Sequence, residues 1–161
     1  MKIKIAGIVN DSIVDGPGIR LSIFVQGCKH NCKGCHNPET HDLSGGYYID
    51  IDDIVKFLTS NPLLSGITVS GGEPLLQYKE VTELLKLAKD YNFNTMVYTG
   101  FLFEDIIKDN KYKKLLSYTD LLVDGPFIIE EKSLLLKFKG SKNQRIIDVA
   151  ESIKENIIVE I

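Results

Sequence analysis

From Gly66 onward the sequence alternates short apolar runs with amphipathic stretches, and this rhythm restricts the fold more than any other feature. The spacing predicts a strand at 66–70, a helix over 74–90, a strand at 93–98, a helix over about 102–117 and a strand at 120–123. Leu75, Leu76, Leu84, Leu85, Leu87 and Ala88 form the apolar side of the first helix, and Pro74 suits its opening turn. In the second helix, Glu104 and Asp105 come early and Lys111, Lys113 and Lys114 late, which matches the macrodipole. Upstream, residues 2–9 and 19–26 read as strands joined by a turn at Asp15-Gly16-Pro17-Gly18. A glycine-containing loop runs to about Tyr47, and 50–60 has helical spacing. Downstream, 127–145 shows no clear period, while 146–149 and 157–161 are strand-like around a weak helix.

Such alternation argues for an α/β fold, a parallel sheet with right-handed crossovers. The 161 residues fit a single domain over 1–161. A closed eight-stranded βα barrel needs about 250 residues. The expectation is therefore a partial, open barrel with a mostly parallel sheet. No repeat, low-complexity tract or domain boundary interrupts it.

Composition removes several function classes. Hydrophobic residues are 43% and charged residues 25%, unlike a disordered chain. The net charge of −3 argues against a general nucleic-acid binder, which needs a basic excess. No apolar run reaches the ~20 residues of a membrane span. The N-terminus alternates instead of showing a signal-peptide core. The expectation is a soluble, cytoplasmic chain with no membrane association.

The only three cysteines, Cys28, Cys32 and Cys35, fall within eight residues. An odd, clustered set is no disulfide framework and reads as metal binding or redox chemistry. Thiolates favour zinc or iron–sulfur iron. A closed zinc site would need a fourth ligand from His30, His36, His41 or a carboxylate. A 4Fe-4S cluster on three cysteines would instead leave one iron open. Spacing alone leaves both readings standing.

Val69-Ser70-Gly71-Gly72-Glu73-Pro74 links a strand to a helix. Two glycines can turn sharply and expose N–H groups to a carboxylate or phosphate, and Glu73 can accept from an ammonium. An α-amino acid carries that pair of charges. The cysteine loop, Gly71-Gly72-Glu73, Tyr98-Thr99-Gly100 and Asp124-Gly125-Pro126 each follow a strand. In a parallel sheet such loops share one face, so the four should converge on one cleft.

Together these residues resemble the radical S-adenosylmethionine superfamily, marked by Cys-x3-Cys-x2-Cys and a following Gly-Gly-Glu. Asp15-Gly16-Pro17-Gly18-Ile19-Arg20 and Cys35-His36-Asn37-Pro38 are similar to segments of the activases of glycyl-radical enzymes. Val123-Asp124-Gly125-Pro126-Phe127 and the late Gly140–Arg145 run resemble the activating proteins of anaerobic (class III) ribonucleoside-triphosphate reductase. The resemblance spans about residues 5–149. It implies a partial barrel of the radical-SAM type. It implies a 4Fe-4S cluster on Cys28, Cys32 and Cys35, with S-adenosyl-L-methionine chelating the open iron. Gly71, Gly72 and Glu73 would hold the methionine end. His36, beside Asn37, would supply the adenine contact that Gly34 lacks, and Thr99 and Asp124 would contact ribose or a cation. The implied reaction reductively cleaves the cofactor to a 5′-deoxyadenosyl radical and leaves a glycyl radical on the reductase. A flavodoxin is the implied electron donor. Other readings are an activator of pyruvate formate-lyase, a deazapurine synthase, or a non-catalytic zinc or iron–sulfur module.

Three further features carry expectations. Arg20 could meet cofactor or partner, or form a salt bridge. Lys132, Lys137, Lys139, Lys142 and Arg145 could face cofactor or partner. Leu134, Leu135, Leu136 and Phe138 read as core.

Overall fold

The computed structural model describes residues 1–161. One seven-stranded sheet runs through it: β1 Lys2–Ser12, β2 Arg20–Val25, β3 Tyr47–Asp50, β4 Gly66–Gly71, β5 Asn94–Tyr98, β6 Leu121–Asp124 and β7 Arg145–Asp148. The spatial order is β3-β1-β2-β4-β5-β6-β7. Pairs β2–β4, β4–β5 and β5–β6 are parallel; β1, β3 and β7 join antiparallel. The sheet does not close, and its edges are β3 and β7. The expected open α/β barrel with a parallel centre is therefore present.

The helices are α1 Ile51–Ser60, α2 Tyr78–Asp90, α3 Phe103–Ile106, α4 Lys113–Ser117 and α5 Val149–Glu155. α1 packs on α2, α2 on α4 and α4 on α5, which makes one layer. Strand residues of one parity meet it. Leu21, Ile23, Val25, Ile67, Val69 and Val97 join Ile54, Leu58, Leu84, Leu85 and Leu115 in one core of 25 buried residues. Burying each such large side chain contributes about 1.5–3 kcal/mol. The opposite parity carries Ser22, Phe24, Ser70 and Tyr98. Parallel strands covered on both faces read as unbroken apolar runs. These alternate because their second face lines a cleft.

Several boundaries differ from the sequence reading. β1 continues to Ser12, and β3 is an added edge strand of exposed tyrosines paired with Lys2–Ile5. The helix expected over 74–90 opens as a 3-10 turn at Pro74–Gln77. There Gln77 leaves the helix path to bond the backbone of Lys4 and Gln26. The helix expected over 102–117 breaks at Asp109, whose carboxylate accepts the Lys111 N–H. Short polar side chains compete with helical bonds in this way. At the C-terminus, 157–161 forms no strand and meets β7 only through a bridge between Glu160 and Ile147 and flanking backbone bonds.

The leucine stripe is not core. Leu134 and Leu135 are 89% and 96% exposed, on a loop braced by a Lys132–Ser141 bridge. Arg20 is buried and makes neither an ion pair nor a cleft contact. It donates to Thr68 Oγ1, to the carbonyls of Pro17 and Ile67, and to Asn94. Burial pulls its pKa down to about 10. Its work is to tie the Asp15–Gly18 turn to β4 and β5.

Candidate functional site

The loops that follow β2, β4, β5 and β6 open onto one cleft of about 780 Å³. Its lining includes Cys28, Cys32, Cys35, His36 and Asn37 from the first loop. Gly71, Gly72 and Thr99 come from the next two. Glu73 and Asp124 lie behind the lining, each almost fully buried.

The cysteine loop is closed at its base by backbone bonds from Gly27 to Thr40 and from Cys28 to His41. All three thiols are free and partly exposed. The Asn37 N–H donates to Cys35 Sγ at 3.5 Å. Burial is the chief effect that pushes the Cys28 thiol up. No three His, Cys, Asp or Glu side chains converge tightly enough to form a closed metal cage. His36 stands edge-on to Phe127 at 4.9 Å, which joins the cysteine loop to the loop after β6.

Gly71 and Gly72 serve the crossing of two chains. Gly71 has φ +93°, and a Cβ on Gly72 would stand 2.3 Å from the Gly27 carbonyl oxygen. The Gly72 N–H donates to Val25 and the Glu73 N–H to Gly27. Those two N–H groups are bonded to the protein's own backbone, and Gly71 and Gly72 line the cleft. Gly72→Ala is expected to lower stability by about 1–3 kcal/mol, the usual cost of overpacking. An unchanged urea midpoint would show that the wall yields freely.

Glu73, expected to accept from an ammonium, is held by groups of the protein itself. Its carboxylate accepts from the Leu75 N–H at 2.9 Å, the Gly100 N–H at 2.8 Å and Thr99 Oγ1 at 2.8 Å. It also faces His30 Nε2 at 2.6 Å. The hydrogen bond to Glu73 is the main cause that raises the His30 pKa. His30 thus joins the cysteine loop to the ends of β4 and β5, and is not placed as a metal ligand. Thr99 is engaged here too and also lines the cleft. The sequence carries no local signal for this node, because its members lie 26 and 43 residues apart.

Asp124 is also taken. It accepts the Phe103 N–H at 2.9 Å and pairs with Arg145, which reaches Glu104 as well. Both carboxylates raise the Arg145 pKa, so its charge is permanent. Beside it, Gln144 accepts from the Gly140 and Ser141 N–H groups and donates to the Gly125 carbonyl, while Asn143 donates to Pro126. This buckle fixes the loop after β6 against the lysine-rich loop. Arg145→Met leaves the Asp124 charge buried and unpaired, and is expected to cost about 3–5 kcal/mol in urea unfolding. A loss under ~1 kcal/mol would mean that Asp124 finds another partner.

A family model described as "4Fe-4S single cluster domain" matches residues 14–147. A Vibrio cholerae protein named anaerobic ribonucleoside-triphosphate reductase-activating protein is 35% identical over 142 residues, 83% of this chain and 90% of that protein. The chain belongs to the radical S-adenosylmethionine activase family. A protein of the same name from Enterobacteria phage T4 is 33% identical over 83% of this chain and 86% of its own. The pyruvate formate-lyase-activating enzyme of Clostridium pasteurianum is 36% identical over 146 residues, and the match spans 59% of that enzyme. The solved structure of QueE from Escherichia coli aligns with a TM-score of 0.50 and 15% identity, covering 62% of this chain and 53% of that one. That likeness concerns the fold alone.

The residues of this family member fit the implied groups. Three free thiols lining one cleft are a soft donor set of the kind an iron–sulfur cluster takes. The Asn37 N–H supplies the kind of sulfur-directed bond that tunes such clusters. The cleft volume falls within the roughly 300–1,000 Å³ of small-molecule sites.

Proposed function

We propose that this chain activates an anaerobic ribonucleoside-triphosphate reductase by placing a glycyl radical on it. Cys28, Cys32 and Cys35 would hold a 4Fe-4S cluster, and the adjoining cleft would take S-adenosyl-L-methionine. When bound, the pair supplies reductive cleavage of the sulfonium and a 5′-deoxyadenosyl radical that takes a hydrogen atom from a glycine Cα of the reductase. The chain's own residues shape and hold the site. Gly71 and Gly72 form one wall, and Glu73 fixes that wall to the cysteine loop through His30. His36 and Phe127 close a second side, within reach of a flat ring. Phe24, Phe127, Leu134 and Leu136 give part of the lining an apolar character.

The carrying observation is the meeting of all three cysteines with the loops after β4, β5 and β6 on one cleft. The choice of reductase as partner is supported by its named activators and by the Asn143-Gln144-Arg145 buckle, which the sequence resemblance ties to that group. The working unit would be residues 1–161 as one domain. No helix is long and apolar enough to cross a membrane. Clustered free thiols suit the reducing cytoplasm, where a flavodoxin would deliver the electron.

Anaerobic EPR tests this reading. The reconstituted protein, a reductant, S-adenosyl-L-methionine and the reductase are expected to give a reduced-cluster signal and a glycyl-radical doublet. A cluster signal perturbed by the cofactor without the doublet would remove the reductase as partner. Bound zinc with no cluster signal would overturn the function.

A further inference from the structure

Between β6 and β7 the chain passes along one side of the cleft. Lys132, Leu134, Leu136, Phe138 and Lys139 all line it. The two ends of this passage are tied to each other. Lys132 bridges Ser141, the Lys142 N–H donates to the Glu131 carbonyl, and Ser141 Oγ accepts the Ile128 N–H. Gln144 accepts from the Gly140 and Ser141 N–H groups, and its carbonyl accepts from Lys139 Nζ. The stretch 133–138 between those ends belongs to no helix or strand. Its internal bonds are two long ones, from the Leu135 N–H to Ser133 Oγ at 3.3 Å and from the Leu136 N–H to the Ser133 carbonyl at 3.4 Å. A segment with so few bonds opens at low cost.

One hydrogen bond joins this segment to the sheet. Tyr98 Oη, at the end of β5, donates to the Phe138 carbonyl at 2.5 Å across 40 residues of sequence. No other hydrogen bond runs from 128–142 to a residue outside 128–144, and no ion pair supplements it. The donor is dependable. β6 holds Tyr98 opposite Val123, and burial pushes the phenol pKa up, so the hydroxyl stays protonated.

Phe138 shows what the bond maintains. Its φ is +64°. A bulky side chain disfavours that left-handed region, and such a conformation persists only where its surroundings impose it. Here the imposed conformation belongs to a residue that lines the cleft, and its carbonyl is the one the sheet grips.

We infer that the Tyr98 hydroxyl is a latch that holds 133–138 against the cleft as a movable wall over the bound cofactor. Tyr98 is a positioning residue that acts through Phe138. The inference rests on the activase reading, which puts S-adenosyl-L-methionine in this cleft.

Tyr98→Phe tests it by removing the hydroxyl and keeping the ring. Leu135→Ala, on the same segment but outside the lining, is the control. The first readout needs no turnover. Trypsin cleavage after Lys137 and Lys139 in the cluster-loaded protein is expected to quicken at least about fivefold in Tyr98→Phe, while cleavage at Lys86 and Lys89 of α2 keeps the parent's rate. S-adenosyl-L-methionine should slow cleavage after Lys137 in the parent and slow it less in the variant. The second readout is equilibrium binding of S-adenosyl-L-methionine, expected to weaken at least about tenfold, while the cluster EPR signal without the cofactor stays as in the parent. Leu135→Ala should match the parent throughout. Unchanged cleavage in Tyr98→Phe would overturn the latch. Faster cleavage with unchanged affinity would overturn the wall's hold on the cofactor. Equal acceleration at Lys86 and Lys89 would make Tyr98 a general support of the fold and overturn the inference too. In all three cases a parent that binds S-adenosyl-L-methionine leaves the activase reading intact. A parent that does not bind it would overturn that reading and the inference with it.

Discussion

Glu73→Ala is expected to loosen the whole cleft. Four groups from three segments converge on this carboxylate: His30 Nε2, the Leu75 and Gly100 N–H groups, and Thr99 Oγ1. Glu73 is 2% exposed, so no water stands ready to replace it. Leaving one buried donor unsatisfied costs about 1–3 kcal/mol, and breaking a buried charged pair about 3–5 kcal/mol. The sum does not add linearly, because the residues share one network. A loss of about 3–5 kcal/mol is expected, a large part of a typical stability of roughly 5–15 kcal/mol. Glu73→Gln keeps the shape and one acceptor and should lose less. Urea unfolding followed by circular dichroism measures both. A Glu73→Ala midpoint equal to the parent's would show that the node holds nothing together.

Replacing Cys28, Cys32 or Cys35 by alanine should do the opposite. The fold should survive while cluster signal and reductase activation disappear. The thiols are partly exposed, belong to no disulfide and lie outside the hydrophobic core. The base of their loop is tied by Gly27–Thr40 and Cys28–His41 backbone bonds, which alanine retains. A small structural zinc module behaves differently, since loss of a ligand unfolds it. Thermal unfolding beside anaerobic EPR therefore separates the two. A cysteine variant that melts far below its parent would speak for a structural metal.

The sequence pattern made the strand–helix order legible wherever one face met the helix layer, as in β4, α2 and β5. It could not reveal β3. Tyr47 and Tyr48 are exposed, and the strand exists only because Lys2–Ile5 of β1 offers it a partner. Nor could it reveal the break at Asp109, since the apolar spacing runs on through 102–117 while one side chain caps a turn. At the site, the convergence of four loops followed from topology alone. The roles of Glu73, Thr99 and Asp124 did not. Each hydrogen-bonds residues distant in sequence, which no local pattern announces. The leucines at 134–136 show the same limit from the other side. Apolar identity states a preference for cover, and only the fold shows that the chain provides none.

The unclosed sheet has a topological consequence. Closing a barrel fixes its diameter through strand number and shear. Here β3 and β7 are bonded on one side only, so closure does not fix the curvature of the sheet. The width of the cleft is held instead by the side chains that cross between its loops, Glu73 with His30 and His36 with Phe127.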